Sequence, residues 1–195
     1  MLTVGNREDL LRGALKCLLN KGFLRTTARD ITAASGVSLA AIGYHFGSKE
    51  ALLSEALIQA IGEWADEMGG APAEPLSGDP IDRFETAWTG TISSFPKHRR
   101  LWAVQFEVMA HLDDLPEVRK AFAAAQREGR LGLAQLFHDI DPADDPEHAV
   151  KIGAFYQALL VGVAALWEVD PATAPDAHDL AGALRLIARP PAANK

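Results

Sequence analysis

Glu107 and His111 stand one helical turn apart, with Asp113 and Asp114 close behind them. Carboxylates beside an imidazole can hold a metal ion or move protons. Helical di-iron bundles do so with Glu-x-x-His pairs from two helices and further Glu ligands from two others. In this chain the spacing is one residue longer and the pair occurs once. His98, His138, His148 and His178 fall near predicted helix ends, where solvation is the simple account. No Gly-rich phosphate loop, zinc motif or Gly-x-Ser-x-Gly elbow is present in the sequence. The expectation is a protein that is not an enzyme, with no catalytic residues, no metal and no cofactor.

A different chemistry is written in residues 26–51, TTARDITAASGVSLAAIGYHFGSKEA. They read as two short helices joined by a tight turn, followed by the start of a third. That arrangement presents a helix to the major groove of DNA. Thr27 can cap a helix whose third residue is Asp30, resembling a reciprocal capping box. Ile31 and Ala34 supply the apolar side of this helix. Gly36 suits a left-handed turn at its end. Ser38 can cap the next helix, Leu39 to Tyr44, with Leu39 and Ile42 spaced to face inward. Gly47 breaks it, and Ser48 caps a long helix that opens at Lys49. Thr32, Ala33, Ala34 and Ser35 suit a close helix crossing. Ala40, Ala41 and Gly43 leave the outer face of the second helix low. Its backbone can then approach the groove floor, where apolar groups meet a thymine methyl. Few side chains here can make bidentate base contacts. Phosphate contacts and DNA shape should therefore carry much of the recognition.

This segment closely resembles the N-terminal domain of the TetR family of bacterial repressors. The resemblance rests on Gly36-Val37-Ser38, then Tyr44-His45-Phe46, then Ser48-Lys49-Glu50-Ala51-Leu52. It implies that Thr27, Tyr44, His45 and Lys49 contact backbone phosphates. It places Ser38, Leu39, Ala40 and Gly43 at or near base edges, and Phe46 in the core. Arg29 is a further candidate for a phosphate. A lysine at a helix start opposes the macrodipole, so Lys49 fits a role outside its own helix. Thr32 and Ser35 stand where alanine is more usual in the family. Gly43 stands where many members carry a second aromatic beside Tyr44.

Charge divides the chain in the same way. Residues 1–50 hold seven Lys or Arg against four Asp or Glu, a balance of +3. The whole chain carries −7, so residues 51–195 carry −10. A mildly basic end on an acidic body suits a modular DNA binder whose body is repelled by DNA. At 195 residues and 48% hydrophobic composition, the chain can bury a real core. The single Cys17 sits in the apolar pattern Leu10, Leu11, Ala14, Leu15, Leu18 and Leu19, as a small buried hydrophobe. One cysteine cannot form an internal disulfide, which suits a reducing cytoplasm. Arg7, Glu8 and Asp9 interrupt any signal-peptide run, and no stretch reaches roughly 18 apolar residues, so neither secretion nor a membrane span is expected.

Beyond the head the periodicity is helical throughout. The expected fold is all-α: a three-helix DNA-binding head over residues 1–50, and a larger helical bundle over residues 51–195 for effector binding and dimerisation. A breaker-rich linker runs from Gly69 to Pro80. Asp79 and Pro80 open a helix with a stripe of Ile81, Phe84, Trp88, Ile92 and Phe95, stopped by Pro96. Further helices are predicted over 97–112, 116–138, 146–169 and 177–188, with an acidic breaker from Asp139 to Asp145 and a loose tail over 189–195. The helix from Pro146 is apolar nearly all round at its centre and needs cover on both faces. One face would meet its own core and the other a second subunit. The TetR resemblance implies a homodimer through the last two helices. Its recognition helices would lie about 34–36 Å apart, over a roughly palindromic operator.

An effector site is expected among Trp88, Trp102, Phe106, Met109, Phe122 and Tyr156. Gln105, His111 and Gln157 would orient a small, largely apolar or aromatic molecule there. The reading is a ligand-responsive cytoplasmic regulator, in the first place a repressor. The alternatives are a helical interaction module that has lost DNA binding, favoured by Gly43 and the −7 charge, and a helical-bundle metalloenzyme.

Overall fold

The computed structural model describes residues 4–69, 79–138 and 140–188. Among these residues the chain is helical, without a strand. In order the helices are α1 (Val4–Lys21), α2 (Ala28–Ser35), α3 (Leu39–Phe46), α4 (Lys49–Gly69), α5 (Pro80–Ala110), α6 (Pro116–His138), α7 (Pro146–Val169) and α8 (Ala177–Ile187). A single 3-10 turn, Leu112–Asp114, precedes α6. Most of the expected linker and all of the expected tail lie outside the described residues, as does Asp139 of the acidic breaker.

Local signals account for the ends. Thr27 and Asp30 form a complete capping box at α2: the Asp30 amide donates to Thr27 Oγ1 at 3.2 Å, and the Thr27 amide donates to Asp30 Oδ2 at 3.0 Å. Gly36 ends α2 at φ 72°. The Ala51 amide donates to Ser48 Oγ at 3.0 Å, which caps α4. Asp79 accepts from the Ile81 amide at 2.8 Å where Pro80 starts α5. Asp176 and Asp179 form a second capping box at α8, which sequence reading passed over.

The range given for α5 holds two helices that meet at a break at His98, where φ is −106° and ψ is 15°, two residues after Pro96. The stop expected at Pro96 is present in this form, since a proline removes one rung of helical hydrogen bonding.

The chain packs as two compact units. The first joins residues 1–67 to residues 99–129, and the second joins residues 68–98 to residues 130–195. In the first, Leu10, Leu18, Phe23, Ile31, Ile42, Leu52 and Leu57 are buried. The ring of Trp64 meets that of Trp102 edge-on at 5.1 Å. In the second, Trp88 stacks on Phe137 at 5.3 Å and Phe137 lies 4.9 Å from Tyr156. There α6 and α7 approach closely at Gly153, where a Cβ would overlap the Arg130 carbonyl. Beside that crossing, Arg130 Nε donates to Gln157 Oε1 at 2.6 Å.

α7 corrects one expectation. Its 24 residues include an 18-residue window of mean hydropathy 1.7, long and apolar enough by length and composition to cross a membrane. Gly153, Tyr156, Leu160, Val163 and Ala164 are buried within the second unit, as in a core helix. Phe155, Leu166 and Val169 remain exposed on α7, as do Leu186 and Ile187 on α8. Cys17 is buried, and burial pushes its thiol pKa up, which disfavours the thiolate.

Two tests follow from this packing. Gly153→Val should lower stability by at least about 1–3 kcal/mol in a urea denaturation series, because the α6 backbone has nowhere to go; an unchanged midpoint would contradict the close crossing. Asp30 is held at about 2, below the usual 3.8, first by the Lys21 ammonium and then by the Thr27 amide and hydroxyl. A carboxylate depressed in the folded state stabilises fully above about pH 4, and that contribution is lost as pH falls toward 2. Following the Asp30 carboxyl carbon by NMR should give a midpoint near 2; a midpoint near 3.8 would mean that neither the Lys21 pair nor the capping box is formed in solution.

Candidate nucleic-acid interface

Three short segments build the candidate interface within the first unit. α1, α2 and α3 pack on one another. Ile31 is fully buried from α2, and Ala41 and Ile42 from α3. That leaves Ser38, Leu39, Ala40, Gly43 and Tyr44 on the outside of α3. Leu39 with Gly43, and Ala40 with Tyr44, are pairs four residues apart and so share one helix face. Leu39 is 58% exposed and Tyr44 71% exposed.

This corrects two sequence expectations. Leu39 does not face inward; Ala41 takes that place, because burying Ile42 rotates Leu39 out of the core. Ala34 on α2 is likewise exposed, and Ile31 alone fixes that helix to the core. Both leucine and alanine follow the helix phase set by the buried isoleucine three residues away.

The flanking polar groups are placed as follows. Thr27 and Arg29 are exposed at the start of α2. Ser38 occupies the α3 N-cap position but makes no side-chain cap bond. Its hydroxyl is therefore not committed to the helix. His45 is half-buried, its ring edge-on to Tyr44 at 4.9 Å, and its Nε2 is buried without a hydrogen-bond partner among the described residues. Lys49 is also half-buried. Its Nζ donates to the Thr26 carbonyl at 3.0 Å and pairs with Glu50 at 3.2 Å. Those contacts tie the start of α4 to the turn before α2. Phe46 is half-buried rather than a full core residue, with the Arg7 guanidinium 5.1 Å above its ring. Arg25, exposed in the loop before Thr27, was missed by sequence reasoning. Its position two residues ahead of a helix N-cap was the available signal, since helix starts attract phosphate.

The nine effector candidates divide between the units. Trp102, Gln105, Phe106, Met109, His111 and Phe122 belong to the first, and Trp88, Tyr156 and Gln157 to the second. Trp88, Trp102, Gln105, Phe122 and Tyr156 are buried; the other four are half-buried. His111 Nδ1 lies 2.8 Å from the Glu107 carbonyl, and Gln157 accepts from Arg130. Trp88 Nε1 is buried without a hydrogen-bond partner among the described residues. A groove of about 600 Å³ in the first unit, lined by Arg7, Leu11, Leu15, Ala56, Gln59 and Glu63 among others, contains none of the nine. The metal reading of Glu107 and His111 has no support in this geometry. No cluster of three or more metal-ligating side chains occurs among the described residues, and the Glu107 carboxylate is bonded to backbone amides.

Comparison with known proteins agrees with the head. Residues 10–56 match the family model of bacterial regulatory proteins of the tetR family. The HTH-type transcriptional repressor AcnR of Corynebacterium efficiens is 41% identical over 49 residues, 25% of this chain and 26% of that protein. The chain thus spans about a quarter of the length of the curated relatives it matches. The whole chain is similar in fold to a protein of Rhodococcus sp. described as a TetR-family transcriptional regulator, with a TM-score of 0.68, 19% identity, and 96% and 100% of the two chains covered. It is also similar in fold to the multidrug binding protein EbrR complexed with proflavin, with a TM-score of 0.63, 19% identity, and 93% and 99% covered. Residues 10–56 are thus similar to the bacterial regulatory proteins of the tetR family, and the chain as a whole shares an all-helical fold with these solved structures.

Proposed function

We propose that this transcriptional regulator is a ligand-responsive repressor, binding a palindromic operator as a homodimer and released by a small, largely apolar effector. The observation that carries the DNA reading is the face of α3. An ordered two-turn helix turns Leu39 and Tyr44 outward and is otherwise nearly bare there. A helix serving only the core would not leave a leucine and a tyrosine exposed in two turns. Ser38, Leu39, Ala40 and Gly43 would lie against base edges. Thr27, Arg29, Tyr44 and His45 would hold phosphates, and Lys49 would add positive charge while it anchors the α2 approach. Residues 1–50 act as the reading head and residues 51–195 as the effector and dimer body, in the cytoplasm.

The dimer reading is supported by the exposed apolar residues of α7 and α8. Phe155, Leu166 and Val169 follow helical spacing along α7, and Leu186 and Ile187 end α8. Such a surface suits a self-complementary interface between two copies. The effector reading is supported by the aromatic content of each unit and by the partnerless Trp88 Nε1, which would welcome an acceptor on a ligand. That a protein of similar fold is complexed with proflavin supports a planar aromatic effector.

Selection of bound fragments from genomic DNA tests the reading. Fragments retained by the wild-type protein should carry an inverted repeat with half-site centres about one DNA turn apart. Tyr44→Ala should weaken retention about tenfold, the loss of one good phosphate or base contact. Leu166→Glu should run as a monomer in size-exclusion chromatography and lose the preference for paired half-sites. Fragments without any shared sequence, from a dimeric and folded protein, would contradict the operator reading.

A further inference from the structure

The carboxylate that the sequence offers as a metal ligand has another partner. Glu107, on the stretch of α5 after the break, accepts from two consecutive backbone amides of the turn between α1 and α2. Phe23 N–H donates to Oε2 at 2.9 Å and Leu24 N–H donates to Oε1 at 3.2 Å. Two helical turns earlier on the same face, Arg100 donates to the Leu19 carbonyl at 2.9 Å, at the end of α1. The two side chains grip the end of α1 from either side: a cation on its last carbonyls and an anion on the amides just beyond. A side chain at Gly22 would strain a left-handed backbone and push the Glu107 carboxylate from its place. Gly22 has φ 85°, and a Cβ there would stand 2.6 Å from Glu107 Oε2.

The gripped turn leads directly into the reading head. Thr26 Oγ1 donates back to the Gly22 carbonyl at 2.6 Å, and the Thr26 carbonyl receives Lys49. Thr27 follows as the α2 N-cap, with Arg29 two residues on. We propose that Glu107 is a positioning residue for DNA binding. It fixes the α1–α2 turn from α5, and so sets where the start of α2 meets the phosphate backbone. This rests on the reading of residues 26–49 as a DNA interface. Glu107 touches no DNA itself; it acts through the turn.

The test compares wild type, Glu107→Ala and Glu107→Gln for affinity to a selected operator and to unrelated DNA, at a temperature where all three are folded by circular dichroism. Glu107→Ala should bind the operator about tenfold more weakly or worse, since two charge-assisted hydrogen bonds are lost. Its preference for operator over unrelated DNA should shrink, and the Phe23 and Leu24 amides should exchange faster. Glu107→Gln keeps one carbonyl acceptor and should recover part of both effects, which keeps the test open should Glu107→Ala fold poorly. Gly22→Ala should cost operator affinity in the wild-type background, and less in the Glu107→Ala background, where the clash is gone. Unchanged operator preference in both Glu107 variants would overturn the proposal alone. Failure of the wild type to bind any DNA at low salt would instead overturn the DNA reading, and this proposal with it.

Discussion

The turn between α1 and α2 is the constraint on which the head depends. It is short, it changes the chain direction, and its backbone amides cannot all pair within the adjoining helices. Partners come from far away in sequence: Glu107 of α5 accepts from the Phe23 and Leu24 amides, while Arg100 of α5 and Lys49 of α4 donate to the Leu19 and Thr26 carbonyls. A hydrogen-bonded turn of this kind tolerates little change, because an amide left unpaired near a core costs more than its bond returned. Gly22 and Phe23 show both requirements at once. The glycine admits the carboxylate, and the phenylalanine ring fills the core beneath it. Once this turn is fixed, the capping box at Thr27 and Asp30 starts α2 in register, and α2 with α1 then supports α3.

Recognition is built on top of that support with few specific groups. The exposed face of α3 consists of a serine, a leucine, an alanine, a glycine and a tyrosine. None of them can make the bidentate base contacts of arginine or asparagine. The cations near this face are Arg25, Arg29 and Lys49, and Lys49 already holds a carbonyl and a carboxylate. On the proposed reading, affinity would come from phosphate contacts at the border, and discrimination from shape, from apolar contact and from the spacing of two heads. Residues 51–195 carry −10, a charge that would repel DNA and favour contact through the head.

Much of this could be read from the chain because it was written locally. Caps at Thr27, Ser48 and Asp79, and the prolines that start α5, α6 and α7, fixed helix limits that the structure repeats. The tetR-like run from Gly36 to Leu52 identified the head for the same reason: its signals lie within a few turns of one another. What was missed depends on tertiary partners. Leu39 and Ala34 look like core residues by spacing and become surface because a neighbouring isoleucine wins the interior. Glu107 looks like half of a metal site, and only folding shows that it meets Phe23 and Leu24, more than eighty residues earlier. Pro96, by contrast, was legible as a stop, and the helix breaks at His98, two residues beyond it.

The most direct measurement is the salt dependence of DNA affinity for the intact protein, by fluorescence anisotropy with a selected operator. If phosphate contacts at the border hold the head in place, the logarithm of affinity falls linearly with the logarithm of salt concentration, by about 0.9 per phosphate neutralised. Ala40→Leu would then change which sequence is preferred while leaving that slope unaltered. A folded protein that binds no DNA at low salt, or binds it with no salt dependence, would contradict the account.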